Sequence, residues 1–228
     1  ELFEHLARNR LAIVDPATHR ECGPDGVGEI WVHGPSVAAG YWARPAETAE
    51  TFAATIADSG EGPFLRTGDL GFLHAGELFV TGRSKDLIII RGANHYPNDI
   101  ELTVQDCHPA LLRGRGAVFA VTPPSGGTEQ LVVVQEVDHS RLTEDDLAAI
   151  IQQIRTAVTG RHEIRVHAVI LAQPLQLPTT SSGKIQRTAC RQHYLDGQLP
   201  VVTAWTAAQP AAPPPAEQPA GPADEQPA

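Results

Sequence analysis

Residues 143–160, "TEDDLAAIIQQIRTAVTG", set Leu147, Ile150, Ile151, Ile154 and Val158 at the three- and four-residue spacing of one helical face. Thr143 stands where an N-cap residue accepts a hydrogen bond from the free amides of the first turn, and the acids behind it suit the positive end of the helix dipole. A stripe this apolar must be covered by other elements. The runs "GAVFAV" and "QLVVVQEV" before it and "IRVHAVIL" after it are short, β-branched and bounded by polar residues, so they read as strands. Further upstream, "DLIIIRG" reads as a strand and "PNDIELTVQDCH" as a helix opening at Pro97. The resulting strand-helix-strand-strand-helix-strand series, about 120 residues, can bury a core of its own. It begins near Lys85, and "IQRTACRQHYLDG" reads as a helix that closes it.

Ahead of Lys85 the pattern is mainly β. "LAIVD", "GEIWVHG" and "GELFVTG" look like strands bounded by Gly or Asp, with one short helix in "AETAETFAATIA". The expected fold class is therefore α+β: a β-rich part over 1–84, a small α+β unit over 85–204, and a tail over 205–228. That tail, "WTAAQPAAPPPAEQPAGPADEQPA", is almost all Ala, Pro, Gln, Glu and Gly, and reads as a disordered linker or tail. The chain contains no methionine, so its start is expected to be a cut with further coding sequence upstream.

Charge and cysteine usage exclude several classes. A formal charge of -10 and a pI of about 5.4 offer no basic field for nucleic acid. Cys22, Cys107 and Cys190 are odd in number and lack CxxC spacing, which argues against a disulfide framework or a zinc site and fits a reducing, cytoplasmic compartment. The histidines are too scattered to suggest any metal site. No apolar run approaches the ~20 residues of a membrane span, and the first residues lack the layout of a signal peptide.

Three segments could carry chemistry. "TSSGKIQR", residues 180–187, is not a Walker-type phosphate loop, because Pro178 stands where the first Gly belongs and Ile185 where Ser or Thr must follow the lysine. What remains is a mobile Thr/Ser/Gly loop with one ammonium, and on these residues alone a solvated lysine is the favoured reading of Lys184. In "RTGDLGF", residues 66–72, Asp69 lies between glycines, where its carboxylate could take two hydrogen bonds from the vicinal hydroxyls of a ribose. Alone, the same residues favour an Asx-turn between strands. The third, "GRSKDLIIIRGANHYPNDIE", residues 82–101, by itself gives only a hairpin and a helix start.

In this order and spacing the three segments resemble the C-terminal part of the adenylate-forming superfamily, which includes acyl-CoA synthetases, luciferases and the adenylation domains of peptide synthetases. The resemblance runs from about Leu11 to Leu199. Within the superfamily, "TGDLGFLHAGELFVTGRSKDLIIIRGANHYPNDIE" is most similar to fatty acyl-AMP ligases, where the "NHYP" and "DIE" elements follow the hinge.

The resemblance implies that residues 1–84 end a large N-terminal adenylation domain and that 85–204 form its small mobile domain. It implies ATP-dependent activation of a fatty acid as acyl-adenylate, then transfer to the phosphopantetheine arm of an acyl carrier protein. Asp69 would hold the ribose hydroxyls and Arg83 would contact ribose or phosphate nearby. Lys85 falls at the hinge, where many relatives carry Asp. Lys184 matches the lysine that closes over the site, where a fixed cation stabilises charge gathering on the α-phosphate. Gly92, His95 and Tyr96 would face the acceptor channel, or else pack within the domain. Mg2+, its ligand, the pyrophosphate-gripping loop and the fatty-acid tunnel would all belong upstream, so the chain alone is expected to be inactive or nearly so. The Pro-rich tail would suit a tether to a carrier protein or polyketide synthase module. Other readings are an acyl-CoA ligase or amino-acid adenylation fragment, and a non-catalytic module that docks a carrier protein.

Overall fold

The computed structural model describes residues 9–123 and 126–207, and from residue 208 onward the segment expected to be a linker lies outside the described residues. The first part is an antiparallel sheet in the order β1-β2-β3-β4, formed by Arg10–Val14, Gly28–His33, Leu65–His74 and Glu77–Arg83. One face of β1 and β2 buries Ala12, Val14 and Trp31 against Phe64 and Ile56. Helix α1, Pro45–Phe52, is shorter than the sequence pattern suggests. Ala54 bridges to Phe64 and Ile56 enters the core, and both pull the backbone out of helical geometry.

A single 3-10 turn, Ser84–Asp86, leads from β4 into the second part. There the hairpin of β5 (Ile88–Ile90) and β6 (Ala93–His95) precedes helix α2, Pro97–Gln105, which opens at the expected proline. Strands β7 (Leu111–Val121), β8 (Gln130–Val137), β9 (Val166–Ala172) and β10 (Val201–Thr206) form a sheet in the order β10-β9-β8-β7. The β8–β9 pair is parallel because helix α3, Glu144–His162, crosses between the two strands.

Both faces of this sheet are buried, which accounts for its continuous apolar strands. On one face Val118, Val133 and Val169 meet the helices through Ile100, Val104 and the predicted α3 stripe of Leu147, Ile150, Ile151, Ile154 and Val158. On the other, Phe119, Val132, Val134 and Ile170 meet Leu177, Ile185 and Cys190, the last from helix α4, Arg187–Leu195. The Cys190 thiol is fully buried, and burial pushes its pKa up to about 11. Thr143 caps α3 as its sequence indicates, in a reciprocal capping box with Asp146.

The expected start of the tail needs correction. Trp205 and Thr206 pair with Val169 and Ala168 as the end of β10, and Trp205 packs beneath Arg155, whose guanidinium carbon sits 3.5 Å from the ring centroid. An indole that gains a sheet edge and a cation-π partner is drawn into the folded unit, whatever the composition of the residues after it. Among the described residues no helix is long and apolar enough to cross a membrane.

Candidate functional site

A groove of about 1590 Å³ runs between the end of the first sheet and the α4 side of the second part. It is lined by Asp69, Arg83, Lys85 and Lys184, four residues brought together from three separate segments. The chain has only two lysines, Lys85 and Lys184, and both face this groove. Gly92, His95 and Tyr96 do not line it.

Asp69 is held by the strand that carries it, not by an Asx-turn. It stands opposite Arg83 in the β3–β4 ladder, and the Arg83 Nε donates to its Oδ1 at 2.7 Å. That contact raises the pKa of Arg83, so the guanidinium stays charged. The backbone just before Asp69 is fixed by the buried Glu29, which accepts from the Gly68 amide at 3.1 Å, from the Trp31 indole at 3.0 Å and from Arg66 at 2.9 Å. Gly68 has φ +72, a left-handed conformation that glycine adopts without strain, and the chain bulges here relative to β2.

Lys85 sits in the 3-10 turn with an exposed side chain. Lys184 is also exposed, yet its backbone is fixed more firmly than a free loop would allow. The Thr180 amide donates to the Lys184 carbonyl at 2.8 Å, the Lys184 amide donates to Thr180 Oγ1 at 3.1 Å, and Thr179 bridges to Ile185. The segment is thus a closed hydrogen-bonded turn in which Gly183 takes the positive φ of +81. No ion pair to the Lys184 ammonium occurs among the described residues, so its charge is available to the groove.

The remaining three expected residues lie elsewhere. Gly92 makes the tip of the β5–β6 hairpin at φ +77, with open space around it. His95 ends β6 half-buried, and desolvation lowers its pKa. Tyr96 precedes α2 and lies against Gly82, where an added Cβ would come within 3.5 Å of its ring.

Two charged networks that the sequence reading passed over frame the Lys184 turn. Upstream of the turn, the fully buried Glu136 accepts from the amides of Leu175, Gln176 and Leu177 at 2.8, 3.0 and 2.9 Å, and from Arg115 Nε and Nη2, each at 2.8 Å. Burial works against its ionisation, but the Arg115 and amide hydrogen bonds outweigh it and hold its pKa below the usual carboxylate range. Downstream of the turn, Arg187 donates to Glu101 at 2.7 and 2.8 Å, to Asp86 at 3.0 Å and to Asn98. A signal for the first network existed: Gln135 and Glu136 interrupt an otherwise apolar strand, and buried charge needs partners.

A four-stranded antiparallel meander joined by one short turn to a small α+β unit, with these residues facing one groove, is the architecture of the C-terminal part of an adenylate-forming enzyme. The McyG A-PCP structure complexed with phenylalanyl-adenylate superimposes with a TM-score of 0.69 at 28% identity, over 83% of this chain and 28% of that one. Fatty acyl-adenylate ligases from E. coli and L. pneumophila give a TM-score of 0.66 at 30% identity, over 84% and 31%. The Disco-interacting protein 2-like AMP-domain family matches residues 85–204, over half of the chain, and the chain belongs to that family. Among curated relatives, the medium-chain-fatty-acid–[acyl-carrier-protein] ligase JamA of Moorena producens is 56% identical over 190 residues, 83% of this chain and 32% of JamA. The long-chain-fatty-acid–AMP ligase FadD26 of Mycobacterium tuberculosis is 44% identical over 192 residues, 81% and 32%. The chain therefore spans about a third of the length of these relatives.

Proposed function

We propose that the chain is the C-terminal portion of a fatty acyl-AMP ligase, in which residues 85–204 turn at Lys85 and bring Lys184 over an ATP held by Asp69 and Arg83. One observation carries this reading: Asp69, its paired Arg83 and both lysines of the chain line a single groove although they come from distant segments. The similarity to JamA and FadD26 supports a fatty acid as the carboxylate substrate.

In the proposed first step a carboxylate oxygen bonds to the α-phosphorus of ATP. The bond from that phosphorus to the bridging oxygen of the β-phosphate breaks, and pyrophosphate leaves with the electron pair. Negative charge gathers on the α-phosphate oxygens in the transition state, and an ammonium placed there lowers the barrier more than it lowers the ground state. In the second step the thiol of an acyl-carrier-protein phosphopantetheine arm bonds to the acyl carbon, AMP leaves, and the thiol proton passes to solvent. Gly92, His95 and Tyr96, which lie outside the groove, are proposed to face that arm after rotation about Lys85. Mg2+ would be held by one or two carboxylates together with the ATP phosphates, and its protein ligand is proposed to lie in the part of the relatives that this chain does not span.

The test is fatty-acid-dependent ATP–pyrophosphate exchange by the full-length gene product that encloses this chain. Lys184→Ala is expected to reduce exchange at least 100-fold, about 3–4 kcal/mol, the scale of one preorganised electrostatic contact. Exchange equal to that of the parent would return Lys184 to the class of surface lysines. Exchange driven by amino acids and not by fatty acids would replace the substrate assignment.

A further inference from the structure

Arg187 opens helix α4 three residues after Lys184, yet its partners lie on other elements: Asp86 in the 3-10 turn, and Asn98 and Glu101 on α2. The cluster is mostly withdrawn from solvent, with side-chain exposures of 22% for Arg187, 14% for Asp86 and 19% for Glu101. Its geometry is specific. Nε and one terminal nitrogen grip both oxygens of Glu101 in a fork, and the other terminal nitrogen reaches Asp86. Glu101 also accepts the Val118 amide at 3.0 Å, which closes the free edge of strand β7. Arg187 therefore reaches around the sheet edge and joins the layer that carries the Lys184 turn to the layer that follows the hinge.

We propose that Arg187 is the positioning residue for Lys184: it locks the lysine turn to Asp86, the residue next to Lys85, so that a rotation at the hinge is transmitted directly to the ammonium. The inference rests on the adenylation reading above. Lys184 itself is exposed and its turn is held at the upstream side by Glu136, so without Arg187 the downstream side of the turn would lose its tie to the hinge. A side chain that must meet a transition state within a fraction of an ångström cannot tolerate that freedom.

The experiment is a double-mutant cycle in the full-length gene product, read by ATP–pyrophosphate exchange. Arg187→Lys keeps the charge and loses the fork. It is expected to lower kcat about 10- to 100-fold with the KM for ATP changed less than about 3-fold, and to add no more than about 2-fold when Lys184 is already Ala. Asp86→Asn, which leaves the Glu101 fork intact, is expected to show a smaller loss with the same non-additivity, and it carries the cycle if Arg187→Lys folds poorly. Losses that multiply in the double variants, or Arg187→Lys and Asp86→Asn that exchange like the parent, overturn the proposal while leaving the role of Lys184 standing. Lys184→Ala with full exchange overturns both.

Discussion

Asp69 and Arg83 stand directly opposite each other on β3 and β4, and only one carboxylate oxygen, Oδ1, takes the arginine, at 2.7 Å. The pair sits at the groove with the Asp69 side chain 39% exposed, and Oδ2 has no hydrogen-bond donor among the described residues. An arginine that holds one oxygen leaves Oδ2 at the groove, and this is the atom that the proposed nucleotide role assigns to a ribose hydroxyl.

Removing the carboxylate should therefore weaken nucleotide binding more than it slows the chemical step. Hydrogen bonds to a charged acceptor contribute roughly 1.5–3 kcal/mol, so Asp69→Ala is expected to raise the KM for ATP about 10- to 100-fold in the full-length gene product. Asp69→Asn keeps an acceptor and loses the charge, and should fall between the parent and the alanine variant. An unchanged KM in both variants would remove Asp69 from the nucleotide site and leave the pair as a sheet contact.

Trp205 supplies a prediction about where the folded unit ends. Its ring lies under Arg155 of α3 and packs beside the apolar cluster that α2 and α3 share with the sheet. Trp205→Ala removes a cation-π contact and part of that cover, and should destabilise the chain by about 1–3 kcal/mol in urea or guanidinium unfolding. A midpoint within experimental scatter of the parent would show that the fold stops before the indole, as the composition of the last residues suggests.

Elements whose reasons are local were legible in the sequence. The α3 stripe, its Thr143 cap and the Pro97 start depend on neighbours within a few residues, and the structure has them where the pattern puts them. Strand β3 was harder because Gly68 and Gly71 look like turn residues. Gly71 is there because its ideal Cβ would lie 2.5 Å from the Phe79 carbonyl and 2.9 Å from Ile30, so only hydrogen fits between the strands. Arg187 was not legible at all: its partners at 86, 98 and 101 are set by the packing of α4 around the edge of β7, which no local pattern encodes. The four groove residues could be named from motif resemblance, but their convergence is a property of the fold.

Glu136 joins stability to pH in a way that can be measured. Its carboxylate is fully buried and satisfied by Arg115 and three backbone amides, and the Leu175 it holds has a φ of +59, an uncommon conformation for a branched side chain. Glu136→Gln puts an NH2 group against donors and leaves Arg115 without its charge partner, which should cost about 3–5 kcal/mol at pH 7. The folded pKa lies below the ordinary value of 4.5, so the folded state binds fewer protons than the unfolded chain in that range. The stability from this ionisation is fully present above pH 4.5 and is lost as the pH falls through the depressed folded value. Equilibrium unfolding from pH 7 downward should therefore show the gap between parent and Glu136→Gln narrowing below pH 4.5. Asp15, Asp138 and Asp146, also held below their ordinary values, give both proteins a common acid slope that cancels in the difference. A gap that stays constant down to pH 3 would mean that packing at position 136, and not its charge, holds the segment leading to Lys184.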